Sequence, residues 1–524
     1  MTNRAATVLL QLGLLAVVVA ALPYKVFELD RYFVPKELIL NAVAIIFAVI
    51  LVARRRAVTI DVVDGLLAFF LVWSAASALF ATNHWLAQRA LGVSVASAVV
   101  FWGARRIGAS GGYRPLLHAA ALATVIAALT ALAQAYGFDT DYFSQNRAPG
   151  GTFGNRNFVA HICAIGLPAL VWSTVTAKRP IGALLGSLGA ALVAAALVLS
   201  RSRAAWLAVA ACAVVLAIPL IVSRRYWDRK IIGGRFARLL LAMVIAAAVA
   251  TILPNHLNWN SESPYLDSAR GMVNYKQGSG RGRIAQYRNT LHMAEANPIF
   301  GVGPGNWPVR YVKFAPGGDP SIAEDGMTAN PWPSSDWVAY VSERGFVAAI
   351  LLLAAFAALF LGSFHGWREA GGGDAVLTRL VLAGTVVIIM VVSAFDAVLL
   401  LAAPALLAWT IIGVSAGARR RGRQVDLSRR EWIIAAGGTM LIAIAATARS
   451  ATQTMAMSAV GDGARTARWV QGAIWDPGSY RINLKVAQLY ARRGRCNTAR
   501  PYAKRAVSLF PNAPAAKRVW RQCQ

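Results

Sequence analysis

Residues 274–314 read NYKQGSGRGRIAQYRNTLHMAEANPIFGVGPGNWPVRYVKF, and residues 330–345 read NPWPSSDWVAYVSERG. Both belong to Asn255–Gly345, the one long polar interruption in a chain made otherwise of apolar runs. Arginines, aromatics and glycine turns crowd into this stretch, and apolar runs flank it on both sides. That contrast decides the fold. The flanks read as membrane helices, and the interruption reads as a loop outside the hydrocarbon.

Working outward, the 524 residues are 57% hydrophobic and 15% charged, with a mean hydropathy of +0.51. Such a chain is polytopic in the membrane, not soluble. Apolar runs lie at about 5–22, 37–53, 62–80, 89–104, 115–136, 157–176, 181–199, 204–222, 238–254, 345–363, 377–395, 397–414 and 431–448. The expected fold is therefore all-α, with roughly thirteen transmembrane helices. The domains are a membrane domain, 1–448, carrying a large loop at 255–344, and a small helical tail, 449–524. The first run resembles a signal peptide, but the later runs make it a retained anchor.

The net charge of +30 lies mostly in short loops, where Lys and Arg set orientation, so it does not indicate nucleic-acid binding. Arg54–Arg56, Arg105 and Arg106, Lys178 and Arg179, Arg224–Lys230, Arg368 and Arg419–Arg423 fall on one side. Segments 23–36, 81–88, 137–156, 200–203, 255–344, the turn at Asp396 and the tail fall on the other. The positive-inside rule then puts the N-terminus in the cytoplasm and the loop and tail outside. Arg201, Arg203, Arg270, Arg281, Arg283, Arg288 and Arg310 break the pattern. Anionic phosphate is one reason for guanidinium there; snorkelling to lipid headgroups is the other. Arg281, Arg288 and His292 form one helical stripe, either a basic binding face or a solvated one.

In GGTFGNRNF the glycines permit close backbone approach, and Asn155, Arg156 and Asn157 offer donors. His161, one turn beyond Asn157, is either functional or satisfied by a neighbouring helix. GVGPGNW follows a helix, not a strand, and reads as a rigid reversal. Ser334-Ser335-Asp336 is good helix-start chemistry, and Asp336 is also free for other work. In the tail, Tyr480, Leu484, Ala487 and Tyr490 share a helical face, Gly494 breaks it, and Ala499, Tyr502, Ala506 and Leu509 resume it. That pattern looks like one tetratricopeptide repeat, an interaction or lid module; the plainer reading is a polar helical tail. Cys163 and Cys212 are packing residues, Cys496 and Cys523 can pair if the tail is extracytoplasmic, and no Cys/His spacing suggests a metal site.

Five pieces, in order, carry a resemblance: DRYFVPKE (30–37), GGTFGNRNFVAHICAIGLPAL (150–170), SRSRAAWLA (200–208), RGRIAQYRNTLHMAEANPIFGVGPGNW (281–307) and SSDWVAYVSERG (334–345). Over roughly Leu22–Ala416 the chain resembles the O-antigen ligase and O-antigen polymerase superfamily of bacterial glycosyltransferases, in the subgroup with a tetratricopeptide-like tail. The resemblance implies transfer of a glycan from undecaprenyl pyrophosphate to an acceptor outside the bacterial inner membrane, without metal or cofactor. The acceptor would be a lipid A core (making lipopolysaccharide), a growing polysaccharide or a protein hydroxyl, and the tail would dock a protein partner. By motif position, Arg203 and Arg283 carry catalysis, with Arg201 and Arg281 second. Members of each pair should point apart on a regular helix, so one of each should face the site. Arg201, Arg281, Arg288, Asn155, Asn157 and His161 are expected to bind substrate.

The family's histidine in H-N-x-Y-L-x₃-A-E-x-G is replaced here by Ser334. Serine is no base at neutral pH, so either Asp336 faces the acceptor hydroxyl, or no base is needed, or activity is lost. Attack would be direct and inverting, because no carboxylate pair is placed for a covalent intermediate. A lipid-linked or anionic solute transporter is the competing class. It would show internal repeats, which this sequence lacks. A non-catalytic glycan-binding relative is the third reading.

Overall fold

The computed structural model describes residues 3–24, 28–52, 57–138, 140–259, 261–273, 278–323, 327–367, 372–419, 423–426, 428–461 and 464–524. In chain order the apolar runs form α1 (Asn3–Val19), α2 (Glu28–Val52), α3 (Val62–Ala78), α4 (His84–Ala109), α5 (Tyr113–Ala135), α6 (Arg156–Val175), α7 (Pro180–Ser200), α8 (Arg203–Ser223) and α9 (Arg229–Ile252). The large loop adds α10 (Pro264–Val273), α11 (Gly278–Glu295) and one turn, α12 (Trp307–Arg310). The bundle resumes with α13 (Asp336–Ser363), α14 (Gly373–Phe395), α15 (Ala402–Gly417) and α16 (Arg429–Ala459). The tail is α17 (Thr466–Trp475), α18 (Tyr480–Ala491), α19 (Cys496–Leu509) and α20 (Pro514–Gln522).

Helices follow from the solvent: in hydrocarbon every backbone N–H and C=O must be bonded within its own segment. Among the described residues ten helices are long and apolar enough to cross a membrane; α1, α3 and α15 are shorter apolar helices. Each of these helices overlies one apolar run of the sequence. One element departs from all-helix: β1 (Ala57–Ile60) pairs antiparallel with β2 (Arg423–Asp426), Ala57 opposite Asp426.

Small residues close the bundle. Every residue of α15 is buried, and a Cβ on Gly413 or Gly417 would run into the backbone of α4 at Phe101 or Arg105. That is the small-residue packing of helices that gain little hydrophobic drive from one another in lipid. Val214, Ile218, Leu241 and Leu441 instead expose their side chains on α8, α9 and α16, as a lipid-facing surface requires.

Two differences from the apolar runs matter for the site. α2 and α4 begin, and α16 ends, beyond the apolar stretch, so polar turns project from one end of the bundle. α13 is broken at Gly345, whose φ of 82° no side chain adopts cheaply and whose Cβ would strike the Ile299 and Pro298 carbonyls. The outer part of α13 thereby abuts the GVGPGNW reversal: Val302 and Gly303 donate to the carbonyls of Ser342 and Glu343 at 3.0 and 2.9 Å. The Glu343 carboxylate accepts from the N–H of Gly305 at 2.8 Å and of Trp307 at 3.2 Å.

The tail does not hang free. Tyr480, Leu509 and Phe510 pack on Val309 of the large loop, Asn83 Nδ2 donates to the Leu509 carbonyl at 3.3 Å, and Asn512 Nδ2 to that of Val309 at 3.4 Å. Cys496 and Cys523 form a disulfide that ties the start of α19 to the end of the chain.

Candidate functional site

The ends of α6, α7, α8, α10 and α11 surround a cavity of about 880 Å³. Six arginines line it (Arg147, Arg156, Arg201, Arg203, Arg270 and Arg283) against one carboxylate among the described lining residues, Asp267. Asn155, Asn157, Gln286 and Ser334 complete the polar wall. The size lies in the range of ligand pockets, roughly 300–1,000 Å³.

The expectation that only one member of each arginine pair faces the site fails at the first pair. Arg201 caps α7 in the left-handed conformation, φ 52°, and α8 begins at Arg203. The break turns both side chains into the cavity. A second non-glycine residue in that strained region, Arg147 with φ 64°, also lines the cavity. Left-handed residues with a Cβ concentrate where the surroundings fix them for function. The second pair behaves as expected: α11 is regular, Arg283 lines the cavity and Arg281 is exposed.

Neutral groups contact three of these guanidiniums. Arg201 Nε donates to Ser268 Oγ at 2.8 Å and Arg203 Nη1 to the Gly271 carbonyl at 2.6 Å. Arg201 and Arg156 both lie over the Trp259 ring, at 4.6 and 5.1 Å from its centroid. Burial pulls Arg201 below the usual arginine value while Asp267 opposes it; the group stays cationic. So many like charges on one wall favour an anion between them.

The wall is built from segments far apart in sequence. Gln134 Oε1 accepts from the N–H of Gly150 and of Gly151, each at 2.8 Å, and Lys36 Nζ donates to the Thr152 carbonyl at 2.8 Å. Gly154, φ 68°, lies against the Tyr32 ring, where a Cβ would collide. DRYFVPKE thus seats GGTFGN, and Asn155 caps α6 by accepting from Asn157 N–H at 3.0 Å. On the opposite side Ser334 N–H donates to Gln286 Oε1 at 2.7 Å, and the Tyr287 hydroxyl donates to the carbonyls of Ser334 and Ala394. Burial pushes the Tyr287 phenol up to about 12, so it remains a donor.

Other expected residues lie elsewhere. Arg288 and His292 are exposed with Arg281 on the outer stripe of α11. His161 is buried and does not line the cavity; its Nε2 is 3.9 Å from Asp396 Oδ2. Asp336 is fully buried, and its carboxylate accepts from the backbone N–H of Val398, Leu399 and Leu400 at 2.8–3.4 Å. It holds the turn entering α15 and does not face the cavity. Asp396 does not line the cavity either, but Asn157, which does, brings its Nδ2 to 3.5 Å from Asp396 Oδ2. Two residues were not singled out by sequence. Arg147 is another outside arginine, and Asp396 is a lone charge between two apolar runs; each carried that signal.

The family model for O-antigen ligase matches residues 188–353, a segment that contains Arg201, Arg203, Arg270 and Arg283. No curated protein matches the chain.

Proposed function

We propose that this chain, whose residues 188–353 match the O-antigen ligase family model, moves a glycan from undecaprenyl pyrophosphate to an acceptor hydroxyl at the outer face of the bacterial inner membrane. The observation that carries this reading is the cavity wall of six arginines against one carboxylate. As the glycosidic bond breaks, charge grows on the departing pyrophosphate, and cations already fixed in place lower that barrier. Arg203 and Arg283, from separate elements of the wall, grip the pyrophosphate, and Arg201, Arg156 and Arg270 complete the binding. Guanidinium suits this task because its planar fork meets phosphate oxygens two at a time.

The acceptor hydroxyl attacks the anomeric carbon directly and inverts it. Asp396, standing behind Asn157, takes its proton through one water, and Asp336 is a positioning residue that holds the turn between α14 and α15. The disulfide of the tail agrees with an oxidising, extracytoplasmic location for the loop end, with the N-terminus inside.

The test uses purified protein in nanodiscs with a synthetic undecaprenyl-pyrophosphate oligosaccharide, following carrier release with and without acceptors. Acceptor-dependent release is expected. Donor binding with no release under any acceptor would instead favour the transporter or binding-protein reading.

A further inference from the structure

A second cavity, of about 340 Å³, opens at the same end of the bundle, beneath the tail. The polar turns by which α2, α4 and α16 extend past their apolar stretches meet there with Ala323, Met327, Thr328, Ala329, Pro331 and Trp332 of the loop and with the start of α18. Its charge differs from that of the arginine cavity. Four carboxylates line it against three guanidiniums. Arg89 grips Glu37 with both arms of its fork, at 2.7 and 2.8 Å, and Arg449 Nη2 meets Asp476 Oδ1 at 2.6 Å. With two ion pairs inside the wall and carboxylates and guanidiniums nearly equal in number, the cavity has little demand for a charged ligand.

Between the ion pairs stand aromatic surfaces: Phe33, Trp85, Trp332, Tyr480 and Phe510. Gln453 also lines it, is only 7% exposed, and its Oε1 has no hydrogen-bond partner among the described residues. A buried amide oxygen left without a donor carries its full desolvation penalty, which a ligand hydroxyl would relieve. Paired carboxylates and guanidiniums still have lone pairs and N–H groups to offer hydroxyls, and aromatic faces suit the apolar C–H faces of a sugar ring. The composition therefore fits a neutral polyol better than an anion or a bare hydrocarbon chain.

The two cavities share one wall. Ala329 lines both, Asn330 and Ser334 face the arginine side, and Pro331 and Trp332 face the other. Trp332 is braced edge-on against Phe33 with ring centroids 5.0 Å apart. We infer that this second cavity, roofed by the tail, binds the saccharide of the acceptor and presents its hydroxyl across the 329–334 wall to the donor. The inference rests on the transferase reading above and gives the tail a share in acceptor recognition. Lipid A core and growing polysaccharide offer the same chemistry, a hydroxyl-rich saccharide.

The experiment uses the full chain in nanodiscs and two probes, the repeat-unit oligosaccharide freed from the donor by mild acid and a delipidated core oligosaccharide. Tryptophan fluorescence reads binding, and transfer kinetics read KM for acceptor and donor separately. Gln453→Ala and Trp332→Ala are expected to raise acceptor KM about tenfold while leaving donor KM in place, with Trp332→Phe recovering most of the loss. The probe whose binding they weaken identifies the source. Melting temperature controls for folding, and Arg283→Ala, poor in transfer, should bind the saccharide as wild type does. Wild-type acceptor KM in both alanine variants, a shift in donor KM alone, or capture of a serine-containing peptide in place of either saccharide overturns the inference. If saccharide binding depends on Gln453 and Trp332 but no acceptor supports release, the transferase reading fails and the binding site stands. If transfer proceeds with acceptor KM unmoved, only the inference fails.

Discussion

Two cavities open at the loop end of this molecule and differ in how their charges are met. In the first, six guanidiniums face one carboxylate, and Arg201, Arg203 and Arg156 rest on a hydroxyl, a carbonyl and an indole ring. In the second, carboxylates and guanidiniums are nearly balanced, and two of the three guanidiniums are bonded to carboxylates. An arginine steadied by neutral partners keeps its charge for a ligand; one locked to a carboxylate has become part of the wall. On the transferase reading proposed above, the same residue type binds ligand in one place and is architectural in the other, and its partners decide which.

The largest effect that tests this contrast is loss of a donor-side arginine. Arg203→Ala and Arg283→Ala should each lower acceptor-dependent carrier release at least roughly a hundredfold, about 2.7 kcal/mol of transition-state stabilisation. Lysine at either position keeps the charge but loses the fork, and should fall between wild type and alanine. Next, Asp396→Asn should lower kcat while leaving the melting temperature near wild type. Asp336→Asn should do the reverse, because its carboxylate serves the backbone N–H groups of residues 398–400. Equal kinetic loss in both would erase the distinction between proton acceptor and positioning residue.

Charge matching should also appear in salt dependence. Binding of undecaprenyl pyrophosphate should weaken severalfold between low and physiological ionic strength, and saccharide binding should barely respond. In the second cavity, Arg89→Ala should cost about 2 kcal/mol of stability by stranding Glu37, discounted because Arg89 is 26% exposed. Replacing both partners with neutral residues should recover part of it, as thermal melting would show. The smallest effect belongs to Arg281→Ala and Arg288→Ala: both side chains are exposed, and transfer should change less than about threefold.

Much of this was legible in the sequence because the bilayer imposes it. Each apolar run has its helix, since hydrocarbon thickness and backbone bonding leave no other solution. Arg283 pointing inward and Arg281 outward follows from helical spacing alone. The Arg201–Arg203 break was not legible: LSRSRAA carries no glycine or proline, and the left-handed turn is imposed by tertiary contacts on an ordinary arginine. Asp336 sits beside good capping chemistry, but the N–H groups it serves lie 62–64 residues away, beyond local pattern. The tail's seat on Val309 is hidden for the same reason, because nothing in the spacing of Tyr480, Leu509 and Phe510 says what covers them.

The most direct test of the central claim is the position of the pyrophosphate. A cryo-electron microscopy map of the protein in nanodiscs with undecaprenyl pyrophosphate should place phosphate oxygens within about 3 Å of guanidinium nitrogens of Arg203 and Arg283. The wall of Asn155, Asn157 and Ser334 should face the departed sugar. Density for the pyrophosphate in the groove lined by Arg114, Lys178 and Arg179, with the arginine cavity empty, would contradict the account.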